Sequence, residues 1–449
     1  MRTEAIDLPS WYDIGKHYQH LEANRTVRDR IVGRLKANTA GRSISVTDLL
    51  NVREAYWKRK RPDITVDLAR REKMIAGSAF HDAFNWRVSS EAWVEQKVYF
   101  QDIAGRIDIY EEIPLELKTT NSPVAADELA TSRPQYLEQL GMYCAMAGKP
   151  KGLLLIYCRT SESAFVGAEV EYPDLGAVER AMLERRDALR NALKEGDPAC
   201  LPACAWAGKG CAYQAVCGCD TSEPTYPIAR SAAVKPSSAL ATEFAERFLR
   251  SVSKSPAERA FSINDVVFPR KAFFKKTAGE APADPDLAEE LENMEQMQFM
   301  NELKFRALGG SGEYTSKAVQ LHGVSGSVDF HEGRSLWFTR SGLKTVIDRD
   351  KLDRFFGAQL LRLAFNATLG NIGKSRLIIW YPNVVEESSR IMVYDLTWKN
   401  LDPFKVEMRN RVAALKAGVQ TGEYEQLPLC PGWMSKKCDF APKCGCGKE

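Results

Sequence analysis

The sequence has no long apolar run. Its longest strongly apolar stretch, Gly152-Leu-Leu-Leu-Ile-Tyr-Cys158, is far short of the ~20 residues a membrane helix needs, so no membrane partner is expected. It lacks an excess of either charge. Sixty-two Lys and Arg face 59 Asp and Glu, a net charge of +3, so a polyanion-binding surface has to be a local patch. It lacks a G-x-x-x-x-G-K-[ST] loop, which excludes a nucleotide-driven motor, and any unwinding needs a partner. The first residues, Met1-Arg-Thr-Glu-Ala, carry charge without the apolar centre of a signal peptide, and the expected location is the cytoplasm. With 44% hydrophobic and 27% charged residues, wholesale disorder is excluded as well.

The chain has 449 residues, three times the ~150 of one domain, which predicts two or three domains. Its eleven cysteines need an explanation, because a reducing compartment and an odd count both argue against disulfides. Cys144 and Cys158 stand apart and the others crowd into two short segments, so metal ligation is the first reading. Cys204, Cys211, Cys217 and Cys219 follow C-x6-C-x5-C-x-C, and Cys430, Cys438, Cys444 and Cys446 follow C-x7-C-x5-C-x-C. Such a recurrence predicts a duplication. Ser45-Val-Thr-Asp48 matches Ser262-Ile-Asn-Asp265, both capping-box signatures that open a helix. Arg53, Tyr56, Trp57 and Lys58 then match Arg270, Phe273, Phe274 and Lys275. The offset drifts from 217 at Ser45/Ser262 to 221 at Asp108/Asp329, 220 at Gln139/Gln359 and 227 at Cys211/Cys438, as loop insertions produce. A Pro/Ser-rich stretch, Thr221 to Ser238, separates the copies. The expected organisation is an N-terminal helical extension over 1–40, a first domain over 41–220, a linker and connecting helix over 221–258, and a second domain over 259–449.

In the first copy, three strands are expected at Lys97–Phe100, Arg106–Tyr110 and Pro114–Thr119. Glu116 and Lys118 point the same way along their strand. With Asp108 on the neighbouring strand, two carboxylates can meet around one hard cation, Mg²⁺ or Mn²⁺. Lys118 can then orient the attacking water and offset charge on a scissile phosphate. Upstream, a helix carries Gly77-x-x-x-His81; downstream, another carries Gln139-Leu-x-x-Tyr143. The run Lys58-Arg59-Lys60-Arg61, with Arg70 and Arg71, is a candidate phosphate-tracking patch, and Trp57 and Trp86 are candidate base-stacking residues.

This order of features resembles the RecB-type branch of the PD-(D/E)XK nuclease superfamily, which includes the AddB nuclease domains and the CRISPR-associated adaptation nucleases. The resemblance covers about residues 44–219. It implies Asp108 and Glu116 as metal ligands, His81 as a further ligand, Lys118 assisting the attack, and Gln139 and Tyr143 positioning the DNA strand and the lysine. It also implies a [4Fe–4S] cluster on four cysteines. This chain departs from the family there: the usual N-terminal ligand position falls near Asn51–Val52 and at Phe268, and each copy has its fourth cysteine locally. The compact spacing also suits tetrahedral Zn²⁺, and Cys200 could replace one ligand.

In the second copy Asp329 persists, but the positions answering Glu116 and Lys118 are expected near Trp337 and Thr339, and Leu291–Leu308 supplies no histidine although Gln359 remains. One carboxylate is too few for a hydrolytic metal site. The expected fold class is therefore α/β, two tandem restriction-endonuclease-like domains, each with a C-terminal four-cysteine metal site and the second degenerate. The expected function is a metal-dependent deoxyribonuclease acting on DNA ends or single strands, in repair, recombination or CRISPR adaptation, with a helicase or adaptation subunit as partner. A catalytically silent DNA-binding or helicase-docking subunit is the alternative, and RNA-directed cleavage a third reading.

Overall fold

The computed structural model describes residues 11–38, 41, 43–89, 93–161, 163–205, 211–218, 223–252, 261–277, 286–309, 313–431, 434, 438 and 440–445. They group into two compact units. The first comprises Lys36–Lys254 with Pro285–Glu302, and the second Met1–Leu35, Ser255–Asp284 and Leu303–Glu449. Among the described residues no helix is long and apolar enough to cross a membrane.

The described chain begins with elements of the second unit, β1 (Tyr18–Ala23) and α1 (Arg25–Lys36). The first unit then runs β2 (Ile44–Ser45), α2 (Val46–Leu50), α3 (Val52–Lys60), α4 (Leu68–Val88), β3 (Trp93–Phe100), β4 (Ile103–Tyr110) and β5 (Pro114–Thr120). It continues through α5 (Leu129–Ser132), α6 (Pro134–Ala147), β6 (Lys151–Cys158), β7 (Phe165–Glu171), α7 (Leu175–Glu195), α8 (Gln214–Cys217), α9 (Pro227–Ser231), β8 (Ala233–Pro236) and α10 (Ser238–Val252). Its mixed sheet has the order β2-β4-β5-β6-β7-β8, with β3 also paired to β4. Leu137, Leu140, Val178 and Met182 of α6 and α7 pack with Ile103, Ile107, Leu154 and Ile156 of the sheet. Phe80 and Phe84 of α4 and Phe244 and Phe248 of α10 pack with Leu115, Leu117 and Leu155. With helices on both faces, β5 is buried from Pro114 to Leu117 and carries no polar-out alternation.

The second unit continues with β9 (Phe261–Ser262), α11 (Ile263–Val267), α12 (Pro269–Thr277), α13 (Leu287–Leu308), β10 (Tyr314–Leu321), β11 (Val324–His331) and β12 (Arg334–Arg340). Then come α14 (Leu352–Leu369), β13 (Lys374–Trp380), β14 (Ile391–Trp398), α15 (Asp402–Thr421) and α16 (Ala441–Cys444). Of α13, the residues up to Glu302 group with the first unit. The sheet order is β1-β14-β13-β12-β11-β10, with β9 on β11. The turns His322-Gly323 and Glu332-Gly333 take positive φ at both positions (52° and 81°, 51° and 69°). That is the backbone a tight hairpin of right-twisted strands requires.

The two sheets repeat each other strand by strand. β2 and β9 join in parallel to β4 and β11, β5 and β12 lie parallel to β6 and β13, and the remaining pairs are antiparallel. The capping boxes form in both: Ser45 with Asp48 at 3.1 and 3.0 Å, Ser262 with Asp265 at 3.2 and 2.8 Å. Arg53 Nε donates to the Leu201 carbonyl at 2.8 Å and Arg270 Nε to the Leu427 carbonyl at 3.0 Å. Each leucine precedes the first cysteine of its C-x-C segment by three residues. The ring pairs Tyr56/Trp57 and Phe273/Phe274 both meet edge-on with centroids 5.2 Å apart.

Two segments depart from the organisation expected of the sequence. Residues 1–40 contain not only α1 but also strand β1, which pairs with β14 at the edge of the second unit's sheet. Within 221–258, β8 pairs with β7 at the matching edge of the first sheet. Each sheet is thus completed by a strand that precedes the other copy in sequence. These edge strands are four and six residues long with weak alternation, and ladder bonds to a partner, rather than their own pattern, specify them.

Candidate active site

Asp108 sits in β4, Glu116 and Lys118 in β5, His81 in α4, and Gln139 and Tyr143 in α6. The fold brings these six together. Asp108 Oδ2 accepts the Leu117 N–H at 2.8 Å, and Asp108 Oδ1 lies 3.4 Å from His81 Nδ1. Lys118 Nζ contacts Glu116 Oε1 and donates to Gln139 Oε1 at 3.1 Å. Gln139 Nε2 in turn donates to the Tyr143 hydroxyl at 3.2 Å. Gln139 and Tyr143 are one helical turn apart, so α6 presents both to the lysine.

Burial governs the electrostatics. Glu116 is 2% and Asp108 8% exposed. Burial pushes the Glu116 carboxyl up to about 7; Lys118 opposes this and the Asp108 charge adds to it. For Asp108, burial is outweighed by His81, Lys118 and the Leu117 N–H, which hold the carboxyl below its ordinary value. Lys118 is held above its ordinary value, because Glu116 and Asp108 outweigh its own burial. Burial raises the Tyr143 hydroxyl further, so it stays protonated. Glu116 Oε2 is buried and has no hydrogen-bond partner. A buried, unpaired carboxylate oxygen is costly unless a cation or proton satisfies it. Two carboxylates and an imidazole are donor types a divalent metal takes, but the ligand atoms of Asp108, Glu116 and His81 do not all lie within 4.8 Å of one another.

One acidic residue escapes a reading of the sequence alone. Glu95 of β3 lies across the ladder from Asp108, between the pairs Val94–Ile109 and Gln96–Ile107. Burial and then the Asp108 charge push its carboxyl up, and Arg106 Nε meets it at 2.5 Å. The two-residue turn Gln101-Asp102 sets this register, and counting back from it would have found Glu95.

The second unit departs in detail. Asp329 pairs with Leu336, so the positions answering Glu116 and Lys118 are Leu336 and Phe338, not Trp337 and Thr339. The loop insertions leave the offset at 220 here, and only the ladder fixes it. Lys304 Nζ sits on Asp329 Oδ2 at 2.6 Å and the Tyr314 hydroxyl on Oδ1 at 3.0 Å. Gln359 is on α14, its Oε1 buried without a partner.

The basic run is largely spoken for. Lys58 approaches Glu54 at 3.8 Å, Arg59 meets Asp48 at 3.0 Å and Arg61 meets Asp63 at 2.7 Å, leaving Lys60 exposed. Trp57 packs on the core, whereas Trp86 is 74% exposed.

Of the cysteines expected to hold metal, Cys219 and Cys446 lie outside the described residues. Cys204 is buried, and its Sγ accepts the Glu54 N–H at the start of α3 at 3.2 Å. A thiol thus stands at the helix start where the sequence has no cysteine. Burial pushes it up to about 12 against that N–H. Cys430 and Cys444 share one apolar cluster with Phe273, Phe274 and Leu427. Cys211, Cys217 and Cys438 are half-buried, and Cys200 is exposed.

Among the described residues, one group of three metal-ligating side chains lies mutually within 4.8 Å: Glu313, His331 and Glu332. Its surroundings are cationic. Arg376, 1% exposed, reaches His331 Nδ1 and Glu332 Oε2 at 2.6 Å each and Asp395 at 2.7 and 2.9 Å. Burial, then Arg376, Arg30 and Arg34, lower His331 to about 4. With Nδ1 accepting from Arg376, this cluster is an internal ion network.

No family model matches the chain, and no curated protein does. A solved structure described as the crystal structure of SSO0001 is 17% identical, with 44% of this chain and 96% of that one covered, at a TM-score of 0.31. So low a score carries no argument about fold or function.

Proposed function

We propose that the first unit is a PD-(D/E)XK-type, RecB-like nuclease that hydrolyses DNA phosphodiesters with Mg²⁺ or Mn²⁺, and that the second is a degenerate copy of the same fold. The observation that carries this reading is the continuous chain Glu116–Lys118–Gln139–Tyr143 beside Asp108, with Glu116 Oε2 unsatisfied. Asp108, Glu116 and His81 would hold the cation. When bound, the cation supplies Lewis acidity and charge neutralisation at the phosphate. Lys118, kept charged by its carboxylate neighbours, is aimed by Gln139 and orients the attacking water. The lysine, a donor only, takes the Gln139 amide oxygen, and the amide nitrogen is left to donate to Tyr143. DNA ends and single strands are the proposed substrates, and a helicase or adaptation subunit the proposed partner.

The cysteine segments are proposed as structural metal sites, [4Fe–4S] or Zn²⁺, closing each copy onto its Arg-aromatic helix, α3 or α12. The Arg53–Leu201 and Arg270–Leu427 bonds support that reading, since they tie each helix to its cysteine segment.

The test incubates the anaerobically purified full chain with end-labelled single- and double-stranded DNA and Mn²⁺, with Lys118→Ala alongside. The expected outcome is cleavage by wild type and a loss of about 10²–10³-fold in the variant. Equal cleavage by both removes Lys118 from its proposed role; none by either leaves the silent binding subunit as the reading, and cleavage confined to RNA leaves the third.

A further inference from the structure

The β3–β4 hairpin continues outward from Glu95 and Asp108, and its exposed face carries three side chains that nothing in the site uses. Along β3, Val98 and Phe100 pack on the core while Lys97 and Tyr99 are exposed, Tyr99 to 68%. Lys97 pairs directly with Arg106, and Tyr99 with Ala104. Alternate residues on a strand are roughly 7 Å apart, so Arg106/Lys97 and then Tyr99 form successive steps leading away from Glu95. Arg106 is anchored on Glu95 through Nε, while its side chain is 61% exposed. A guanidinium held at one edge keeps donors at the other for a second anion.

The second unit supplies an internal control. The row Glu95/Asp108, Lys97/Arg106, Tyr99/Ala104 of the first sheet is answered by Ser316/Asp329, Ala318/Ser327 and Gln320/Ser325 in the second. At these six positions only Asp329 is charged and none is aromatic, in the unit where Leu336 and Phe338 stand for Glu116 and Lys118.

We propose that this face of the hairpin guides single-stranded DNA to the Asp108/Glu116 site, Lys97 and Arg106 holding phosphates and Tyr99 stacking an unpaired base. Charge complementarity names a polyanion as the occupant. The exposed ring selects a single strand, whose base faces are open to stacking, over a duplex, whose faces are covered. The choice of DNA rests on the proposed nuclease reading.

The test measures binding of the full chain to labelled oligodeoxythymidylate in chelator, where no cleavage occurs, across a salt series. Lys97→Ala/Arg106→Ala is expected to reduce the slope of log K against log salt by about 1.4, from ~0.7 for each phosphate no longer neutralised. Tyr99→Ala is expected to weaken binding about tenfold, and Tyr99→Trp to restore it. Lys97 and Tyr99 are exposed, so the melting temperature should not move in Tyr99→Ala. Arg106→Ala removes the partner of Glu95, so the double variant is assayed where its melting curve shows it folded, which separates weakened binding from failed folding. Unchanged slope and affinity in these variants overturn the proposal, as does a wild type that binds no oligonucleotide. Loss confined to oligouridylate overturns the assignment to DNA. A wild type that binds through this strip yet cleaves nothing refutes the nuclease reading alone, and one that cleaves while the strip variants bind normally refutes the strip alone.

Discussion

The same row of four strand positions reads Asp108, Glu116, Leu154, Ala168 in the first unit and Asp329, Leu336, Arg376, Asp395 in the second. In the first, two carboxylates sit together with one oxygen unsatisfied. In the second, the surviving acid is neutralised by Lys304, and charges two and three strands away neutralise each other as a bidentate Arg376–Asp395 pair. The lesson is electrostatic. A buried carboxylate persists where something offsets its charge: in the second unit Lys304 and Tyr314 answer both oxygens of Asp329, whereas in the first Lys118 answers Oε1 of Glu116 and leaves Oε2 unsatisfied.

The largest way to sharpen that contrast lies in the second unit's ion network. His331 is neutral in the fold. Its unfolded form takes up a proton below about pH 6.5, whereas the folded form does so only near 4. Stability contributed by the neutral ring is therefore present above 6.5 and lost as pH falls through that window. His331→Gln should remove up to roughly 3 kcal/mol of the acid sensitivity of the second unit's unfolding. Denaturant titrations at a series of pH values check this, and an unaltered pH slope would break the account of the network.

In the first unit the shift has the opposite sign. Glu116, raised to about 7, would have to release its proton to ligate the proposed metal. Apparent Mn²⁺ affinity should fall about tenfold per pH unit below 7 and level off above it. Mn²⁺ titration by electron paramagnetic resonance on either side of pH 7 reads this directly; a flat profile would remove Glu116 from the ligand set. The smallest effect is expected at Asp329. Asp329→Asn leaves the part-buried Lys304 without its counter-charge and should cost about 1 kcal/mol of stability, read as a lower denaturation midpoint.

Much of the candidate site was legible because its signals are local. The alternation of Glu116 and Lys118, the turn-spaced Gln139 and Tyr143, and the two capping boxes are each contained within one element. What was not legible depends on pairing between distant segments. The edge strands β1 and β8 acquire their identity from the partners they join, four and six residues being too few for a pattern of their own. Leu336 and Phe338 were displaced by one residue because a drifting offset cannot fix a ladder register. Lys304 went unnoticed because a lysine on a helix ordinarily faces solvent, and only its meeting with Asp329 gives it meaning. Glu95 required a hairpin register.

Cleavage of end-labelled single-stranded DNA in Mn²⁺ by the full chain carrying Asp108→Asn or Asp329→Asn bears most directly on the contrast between the units. The account predicts that Asp108→Asn is silent and Asp329→Asn cuts as wild type does. Loss of cleavage in Asp329→Asn, or its retention in Asp108→Asn, would contradict the assignment of one live and one degenerate copy.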